Sequence, residues 1–138
     1  MLSSARALAL CSTVLVAVPA TAQDWLELLP TTTPPAVTGH AMAYDAAADR
    51  TVLFGGSLAG NVRINDTWLF DGKDWAQAAP AVSPPARAGH PLAYDISRGR
   101  VVLFGGIGVG GVLSDTWEWD GTTWTAATPA TVPPARLS

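Results

Sequence analysis

The chain is 138 residues long, 49% of them hydrophobic and 14% charged, and its net charge is −3. Its eight lysines and arginines are scattered without a run or stripe, so nucleic acid and anionic membrane surfaces are not expected partners. The only cysteine, Cys11, lies in an amino-terminal segment that we expect to be removed. A disulfide, a thiolate metal site and a cysteine nucleophile are therefore not expected in the mature protein.

Residues 1–22 have the three parts of a secretory signal peptide. Arg6 supplies a positive charge, residues 7–18 form an apolar run, and residues 20–22 read Ala-Thr-Ala, which fits a cleavage site. The apolar run is too short to cross a bilayer comfortably, so no membrane span is expected after cleavage. We therefore predict a secreted, periplasmic or otherwise extracellular protein, and the alanine-rich, cysteine-free mature part is typical of a bacterial one.

The mature part repeats itself with a period near fifty residues. Residues 52–56, Val-Leu-Phe-Gly-Gly, return at 102–106, and Asp-Thr-Trp at 66–68 returns at 115–117. A period of this length indicates a repeat architecture in which neighbouring units bury their apolar faces against each other. The complete units are repeat 1, residues 30–79, and repeat 2, residues 80–129.

Each repeat contains four short apolar segments bounded by Gly, Pro, Asp or Asn, which predict β-strands. The second segment is apolar throughout and is expected to be buried on both faces. Asp-Gly pairs predict tight turns between the third and fourth strands. No stretch has a helical period, so we predict an all-β protein of four-stranded antiparallel meanders. The predicted strands are residues 40–44, 51–54, 67–70 and 75–78 in repeat 1, and 91–94, 101–104, 116–119 and 124–127 in repeat 2.

Partial units flank the two complete repeats. Residues 23–29 match the fourth segment of a repeat, with Trp25 in the place of Trp75, and are predicted to be a lone outer strand. Residues 130–138 copy the beginning of repeat 2 and are predicted to be the start of a truncated third repeat.

The repeated residues resemble the kelch repeat. The similarity lies in the Gly-His pair, the double glycine after the second strand, the Asp-Thr-Trp of the third and the tryptophan that opens the fourth. Val37 replaces an arginine of this pattern in repeat 1. The resemblance implies that each repeat is one blade of a β-propeller and that residues 23–29 are the kind of strand that closes a ring. It implies structural roles for His40, Gly55, Gly56, Trp68, Trp75, His90, Gly105, Gly106, Trp117 and Trp124.

Two blades are fewer than the roughly four to eight of a propeller, so one such chain is not expected to close a ring. Three explanations stay open. In the first, two-blade chains assemble into a ring, for example three chains forming about six blades. In the second, the chain is a fragment of a longer propeller. In the third, it is a truncated product without a stable fold.

No set of residues suggests catalysis, a metal or a cofactor. His40 and His90 occupy equivalent positions, which packing explains better than ligation, and no third ligand lies at zinc spacing. A G-x-S-x-G motif is absent, and Glu27 and Glu118 are not paired as an acid and a base. The aspartates concentrate at turns, where their side chains hydrogen-bond nearby backbone. We therefore expect a protein without catalytic activity of its own.

The loops between the second and third strands and between successive repeats should emerge on one side of the blades. Loops on a rigid scaffold commonly carry binding residues. We predict an exported interaction module that binds a protein or a carbohydrate. The alternative is a fragment of a larger extracellular propeller enzyme, carbohydrate-active or oxidase-like, whose active residues lie on absent blades. The polar ligand-binding candidates are Ser57, Asn61, Arg63, Asn65 and Arg87.

Overall fold

The computed structural model describes residues 27–131 and 133–135. The predicted signal peptide and its cleavage site lie outside these residues. The described part contains thirteen β-strands and one short 3-10 turn, so the all-β prediction is confirmed. None of its segments is a helix of the length and apolarity that crossing a membrane demands.

The first blade is a four-stranded antiparallel meander. Its strands are β1 (Ala41–Asp45), β2 (Arg50–Phe54), β5 (Thr67–Phe70) and β6 (Trp75–Ala78), in the spatial order β1-β2-β5-β6. Consecutive strands of the meander are neighbours, as expected for antiparallel strands joined by short turns. Each strand agrees with its predicted segment to within one residue.

The second blade repeats this topology. Its strands are β8 (Leu92–Asp95), β9 (Arg100–Phe104), β12 (Thr116–Trp119) and β13 (Trp124–Ala127), in the order β8-β9-β12-β13. These bounds also agree with the predicted segments to within one residue. The two blades confirm the predicted four-stranded antiparallel meanders, and within the described residues they do not close into a barrel or ring.

Five two-residue strands lie in segments that the sequence predicts only as loops. β3 (Ser57–Leu58) and β4 (Val62–Arg63) form a hairpin around the 3-10 turn at Ala59–Asn61. In the second blade β10 (Ile107–Gly108) pairs with β11 (Gly111–Val112), and it also pairs with β7 (Arg87–Ala88) from the connection between the blades. The longest loops of both blades are therefore ordered by backbone pairing.

Aspartate side chains hold the turns between the strands, as predicted. The carboxylate of Asp45 accepts hydrogen bonds from the amides of Ala47 and Ala48 at 3.0 and 3.2 Å. Asp71 accepts from the amides two and three residues further on at 2.9 and 2.8 Å. Such bonds satisfy backbone donors that a tight turn leaves unpaired.

Each blade has two different faces, because side chains alternate along a strand. We call one the Phe–Thr face; in the first blade it carries Val52, Phe54 and Thr67, and in the second Val102, Phe104 and Thr116. We call the other the Trp face. It carries Tyr44, Leu53, Trp68, Phe70 and Trp75 in the first blade, and Tyr94, Leu103, Trp117, Trp119 and Trp124 in the second.

The core lies between the blades, where the Phe–Thr face of the first meets the Trp face of the second. Its buried members are Val52 and Phe54 from β2 with Val101, Leu103, Trp119 and Trp124 from the second blade. The Phe54 and Trp124 rings meet edge to face with their centroids 5.1 Å apart. The blades thus pack head to tail, with unlike faces in contact.

The prediction that the second strand is buried on both faces is confirmed in β2, whose last three residues are all buried. In β9 only Val101 and Leu103 are fully buried, whereas Val102 and Phe104 are half-buried. Their side chains lie on the outer Phe–Thr face, and no further blade of the described chain covers that face.

The flanking units are described only in part. Residues 27–29 belong to no strand, and Leu29 is exposed. The remainder of the predicted outer strand, with Trp25, lies outside the described residues, as do residues 132 and 136–138 of the predicted third repeat. The ring-closing strand and the third repeat stay predictions.

Candidate interaction surface

Three loop segments form one side of the two blades. Arg87 and Ala88, between the blades, pair with Gly108 and Ile107 of β10. On their other side, the Gly56 amide donates to the Arg87 carbonyl at 2.8 Å, and the Arg87 amide donates to the Ile64 carbonyl at 3.3 Å. The connection is thus fixed between the hairpins of both blades. We call this surface the hairpin face, consisting of residues 57–65, 80–88 and 107–114.

Valine side chains are exposed on the hairpin face. The exposed fraction is 57% for Val62, 90% for Val109 and 48% for Val112, and Val82 between the blades is 52% exposed. None of these valines is among the polar candidates that the sequence suggests for binding. Their exposure depends on the direction of the hairpins and of the connection between the blades.

Four of the five polar candidates lie on the first hairpin and its exit. Asn61 and Asn65 are exposed, and Ser57 and Arg63 are half-buried. The Ser57 hydroxyl donates to the Asn61 side-chain oxygen at 3.5 Å, so the structure brings these two together. Asn61 itself adopts a positive φ of 62°, which asparagine tolerates better than most residues. These four residues share the first hairpin and its exit with the exposed Val62.

Arg87, the fifth candidate, is fully buried and does not fit a ligand contact on the surface. Its two Nη atoms lie 2.6 and 2.7 Å from the carboxylate oxygens of Asp115, and Nη1 also donates to the Gly105 carbonyl at 2.8 Å. Its Nε donates to the Pro85 carbonyl at 3.0 Å. The guanidinium therefore joins the connecting loop to the second blade, and its predicted binding role is corrected to a structural one.

The partners of Arg87 also determine the charge state of Asp115. Partial burial raises the pKa of this carboxyl, but hydrogen bonds from Arg87 and from the Trp117 indole outweigh that effect and lower it below its ordinary value. The indole Nε1 donates to Asp115 at 2.7 Å. Asp115 is thus an ionised acceptor for two groups of its own blade.

The first blade lacks this arrangement. Val37 stands in the place of Arg87, and among the described residues no side chain bonds the carboxylate of Asp66, the counterpart of Asp115. The Nε1 of Trp68, the counterpart of Trp117, is buried without a hydrogen-bond partner in the same part of the chain. An open pocket of about 350 Å³ lies beside Val37, lined by Ala36, Val37, Thr38, Ser57, Leu58 and Ala59.

The two histidines have different surroundings although their positions are equivalent. His90 is 2% exposed, and its ring lies against Phe54 with the centroids 5.5 Å apart. Burial, and secondly the nearby positive charge of Arg87, lowers the pKa of His90 to about 4. Neither ring nitrogen has a hydrogen-bond partner among the described residues, and His40 is exposed. Packing therefore explains the position of His90, whereas His40 is not buried.

The double glycine allows the loops to approach closely. Gly106 has a φ of 91°, and a Cβ there would lie 2.8 Å from the Cβ of His90. Gly55 has a φ of 64°, and a Cβ there would lie 2.7 Å from the Arg87 carbonyl oxygen. A side chain at either position would require backbone movement. Within the described ranges, no group of three or more His, Cys, Asp or Glu side chains is placed to hold a metal ion.

Comparisons with known proteins place the chain in a wider context. The family model described as the KLHDC2/KLHL20/DRC7 Kelch-repeats domain matches residues 8–137. No curated protein matches the chain. Among the solved structures that match, the one titled "Structure of YjhT" has a TM-score of 0.54 at 20% identity over 70% of this chain. The matched part is 33% of that protein, so the chain spans about a third of its length.

Proposed function

The chain belongs to the kelch-repeat family, and on that premise we propose that it is an exported interaction module whose hairpin face binds a protein. The observation that carries the proposal is the exposure of Val62, Val109 and Val112 on the two hairpins that flank the connection between the blades. Grouped apolar side chains with a polar rim are typical of protein–protein contacts. Asn61 and Asn65 supply such a rim beside the valines.

The scaffold under this surface favours binding with little loss of conformational entropy. Both hairpins are paired by backbone hydrogen bonds, and the loop between the blades is bonded to each of them. The pair between the buried Arg87 and the partly exposed Asp115 holds that loop against the second blade. A surface that is already ordered loses less entropy when it binds.

The test compares two variants of the full chain. The double substitution Val62→Ser and Val109→Ser removes two exposed valines from the hairpin face. The control, Ile96→Ser, removes an equally apolar side chain, 84% exposed, from the turn between β8 and β9. Both proteins and the unchanged chain are immobilised and exposed to envelope and culture-medium proteins of the host, and bound proteins are quantified by mass spectrometry.

We expect at least one protein that binds the unchanged chain and the Ile96→Ser control but is depleted about tenfold on the double variant, which corresponds to roughly 1.4 kcal/mol. Direct titration with that protein then measures the same ratio. Binding that is equal on all three proteins, or absent from all, contradicts the proposal. A polysaccharide that shows this dependence in place of a protein also contradicts it and supports a carbohydrate ligand. A catalytic turnover abolished by the loop substitutions contradicts the non-enzymatic role.

A further inference from the structure

The contact between the two blades consists of specific interactions as well as apolar packing. The Trp124 Nε1 donates to the Thr67 hydroxyl at 3.0 Å, and the same indole meets Phe54 at 5.1 Å between centroids. Near the opposite end of the strands, the amide of Ala47 donates to the Tyr94 hydroxyl at 3.1 Å. The Trp124 contacts join the Phe–Thr face of the first blade to the Trp face of the second, and the Ala47 amide joins the turn between β1 and β2 to that same Trp face.

The outer faces of the molecule carry the counterparts of these residues. On the outer Trp face, Trp75 and Tyr44 stand where Trp124 and Tyr94 stand in the second blade. On the outer Phe–Thr face, Phe104 is paired with Thr116 just as Phe54 is paired with Thr67. The backbone amide of Ser97 corresponds to that of Ala47. The two outer faces are therefore the two halves of the contact that is already formed inside.

The outer Trp face is exposed along its edge strand β1, whereas Leu53 and Trp68 of the same face are buried. Its aromatic side chains are already arranged. Met42 and Tyr44 are 52% and 53% exposed, whereas Leu92 and Tyr94, at the same positions of the second blade, pack against the core. Phe70 and Trp75 pack with centroids 5.0 Å apart, as Trp119 and Trp124 do at 5.4 Å. An exposed apolar face of this kind is typical of an interaction site.

From these matches we propose that the outer Trp face of one molecule binds the outer Phe–Thr face of a second copy of this chain. Trp75 of the first molecule then contacts Phe104 and Thr116 of the second, as Trp124 contacts Phe54 and Thr67 within one molecule. The contact is head to tail and closes into a ring when the rotation between blades allows it. Propellers contain roughly four to eight blades, so a closed ring takes about two to four copies. This surface is distinct from the hairpin face, and the proposal is independent of the proposed function.

A charged residue distinguishes the outer Phe–Thr face from the inner one. Glu118 stands where Leu69 of the first blade packs against the core. The carboxylate is paired with Arg98 at 2.5 Å, and Arg98 is also 2.7 Å from Asp95. Covering this pair removes water from both charges at a cost in free energy. We therefore expect the contact between molecules to dissociate on dilution, unlike the contact between the blades of one chain.

The experiment is light scattering after size-exclusion chromatography, over a hundredfold range of concentration, on protein expressed from the full sequence. Mass spectrometry of each intact chain checks that all variants were processed alike and carry the same leader or none. The unchanged chain is expected to form a discrete species of two to four copies at high concentration. Trp75→Ala and Phe104→Ala should each abolish it, and Val109→Ser on the hairpin face should not. Tyr44→Arg, at an exposed position, replaces Trp75→Ala if that variant unfolds.

Mixing two variants tests the head-to-tail direction. A chain with Trp75→Ala keeps an intact Phe–Thr face, and a chain with Phe104→Ala keeps an intact Trp face. An equimolar mixture is expected to give a species of twice the monomer mass and nothing larger, although each variant alone is monomeric. A monomeric unchanged chain at all concentrations overturns the proposal. An assembly that persists with Trp75→Ala and Phe104→Ala, or a mixture that stays monomeric, also overturns it.

Discussion

The two blades share one strand order and register, but they differ in the side-chain bonds that hold the loop before the first strand. In the second blade a buried guanidinium connects that loop to Asp115, and Asp115 in turn accepts from Trp117. In the first blade Val37 leaves Asp66 and the Trp68 indole without those bonds. The meander forms in both, so the ion pair is not required for the blade. It joins the connecting loop to the second blade instead.

The largest effect is expected from Arg87→Met, which removes the buried guanidinium but keeps an apolar side chain of similar length. Breaking a buried pair typically costs about 3–5 kcal/mol, and we expect about 3 kcal/mol because Asp115 is partly exposed and can be hydrated. Urea denaturation measures the free energy of unfolding. The control is Arg98→Met, whose guanidinium is half exposed and which should cost less than about 1 kcal/mol. Equal losses for the two variants would refute the distinction.

An intermediate effect is expected from the buried histidine. The pKa of His90 is about 4 in the folded protein against 6.5 as the reference value, so the unfolded chain takes up a proton first as the pH falls. The contribution of neutral His90 to stability is complete above about pH 6.5 and is lost towards pH 4. Between pH 7.5 and 5 we expect the free energy of unfolding to fall by about 2 kcal/mol.

The matched control for this pH dependence is the exposed counterpart. His90→Gln should remove most of the decrease between pH 7.5 and 5, whereas His40→Gln should leave it almost unchanged, with a small shift because His40 also acts on the pKa of His90. Lowered carboxyl pKa values, as at Asp115, affect stability only at lower pH. A decrease that survives in His90→Gln would show that another group is responsible.

The smallest effect is a gain in stability. Val37→Arg provides the first blade with the guanidinium that the second blade has, and the open pocket beside Val37 gives the longer side chain room. We expect a gain of about 1 kcal/mol from a bidentate pair with Asp66, since the site is only partly buried. Val37→Met supplies length without charge and should give no such gain. Adding Asp66→Asn should abolish the gain; a gain that persists would mean that the ion pair is not its source.

The strands could be predicted from the sequence because local signals mark their ends. Gly, Pro, Asp or Asn bound the four- and five-residue strands, so the predicted limits were correct to within one residue. The hairpins β3–β4 and β10–β11 were missed because two-residue strands are too short for an alternating pattern. Their pairing depends on contacts that periodicity does not report.

The candidate surface was predicted in outline but not in its side chains. The loop segments of the hairpin face were correctly grouped on one side, since antiparallel topology determines this. Arg87 was misplaced because an arginine in a loop suggests exposure, and its partner Asp115 lies 28 residues further along the chain. The exposure of Val62 and Val112 depends on the direction of each hairpin, which composition does not determine.

The position of Trp124 has a practical consequence for spectroscopy. Its indole is 1% exposed and touches Thr67 and Phe54, which belong to the other repeat. Separation of the blades would expose this indole to water even if each meander stayed intact. The contribution of this indole to the tryptophan emission therefore reports docking of the repeats, whereas far-ultraviolet circular dichroism reports the strands. Together, the two signals can resolve an opened but still folded pair of blades from an unfolded chain.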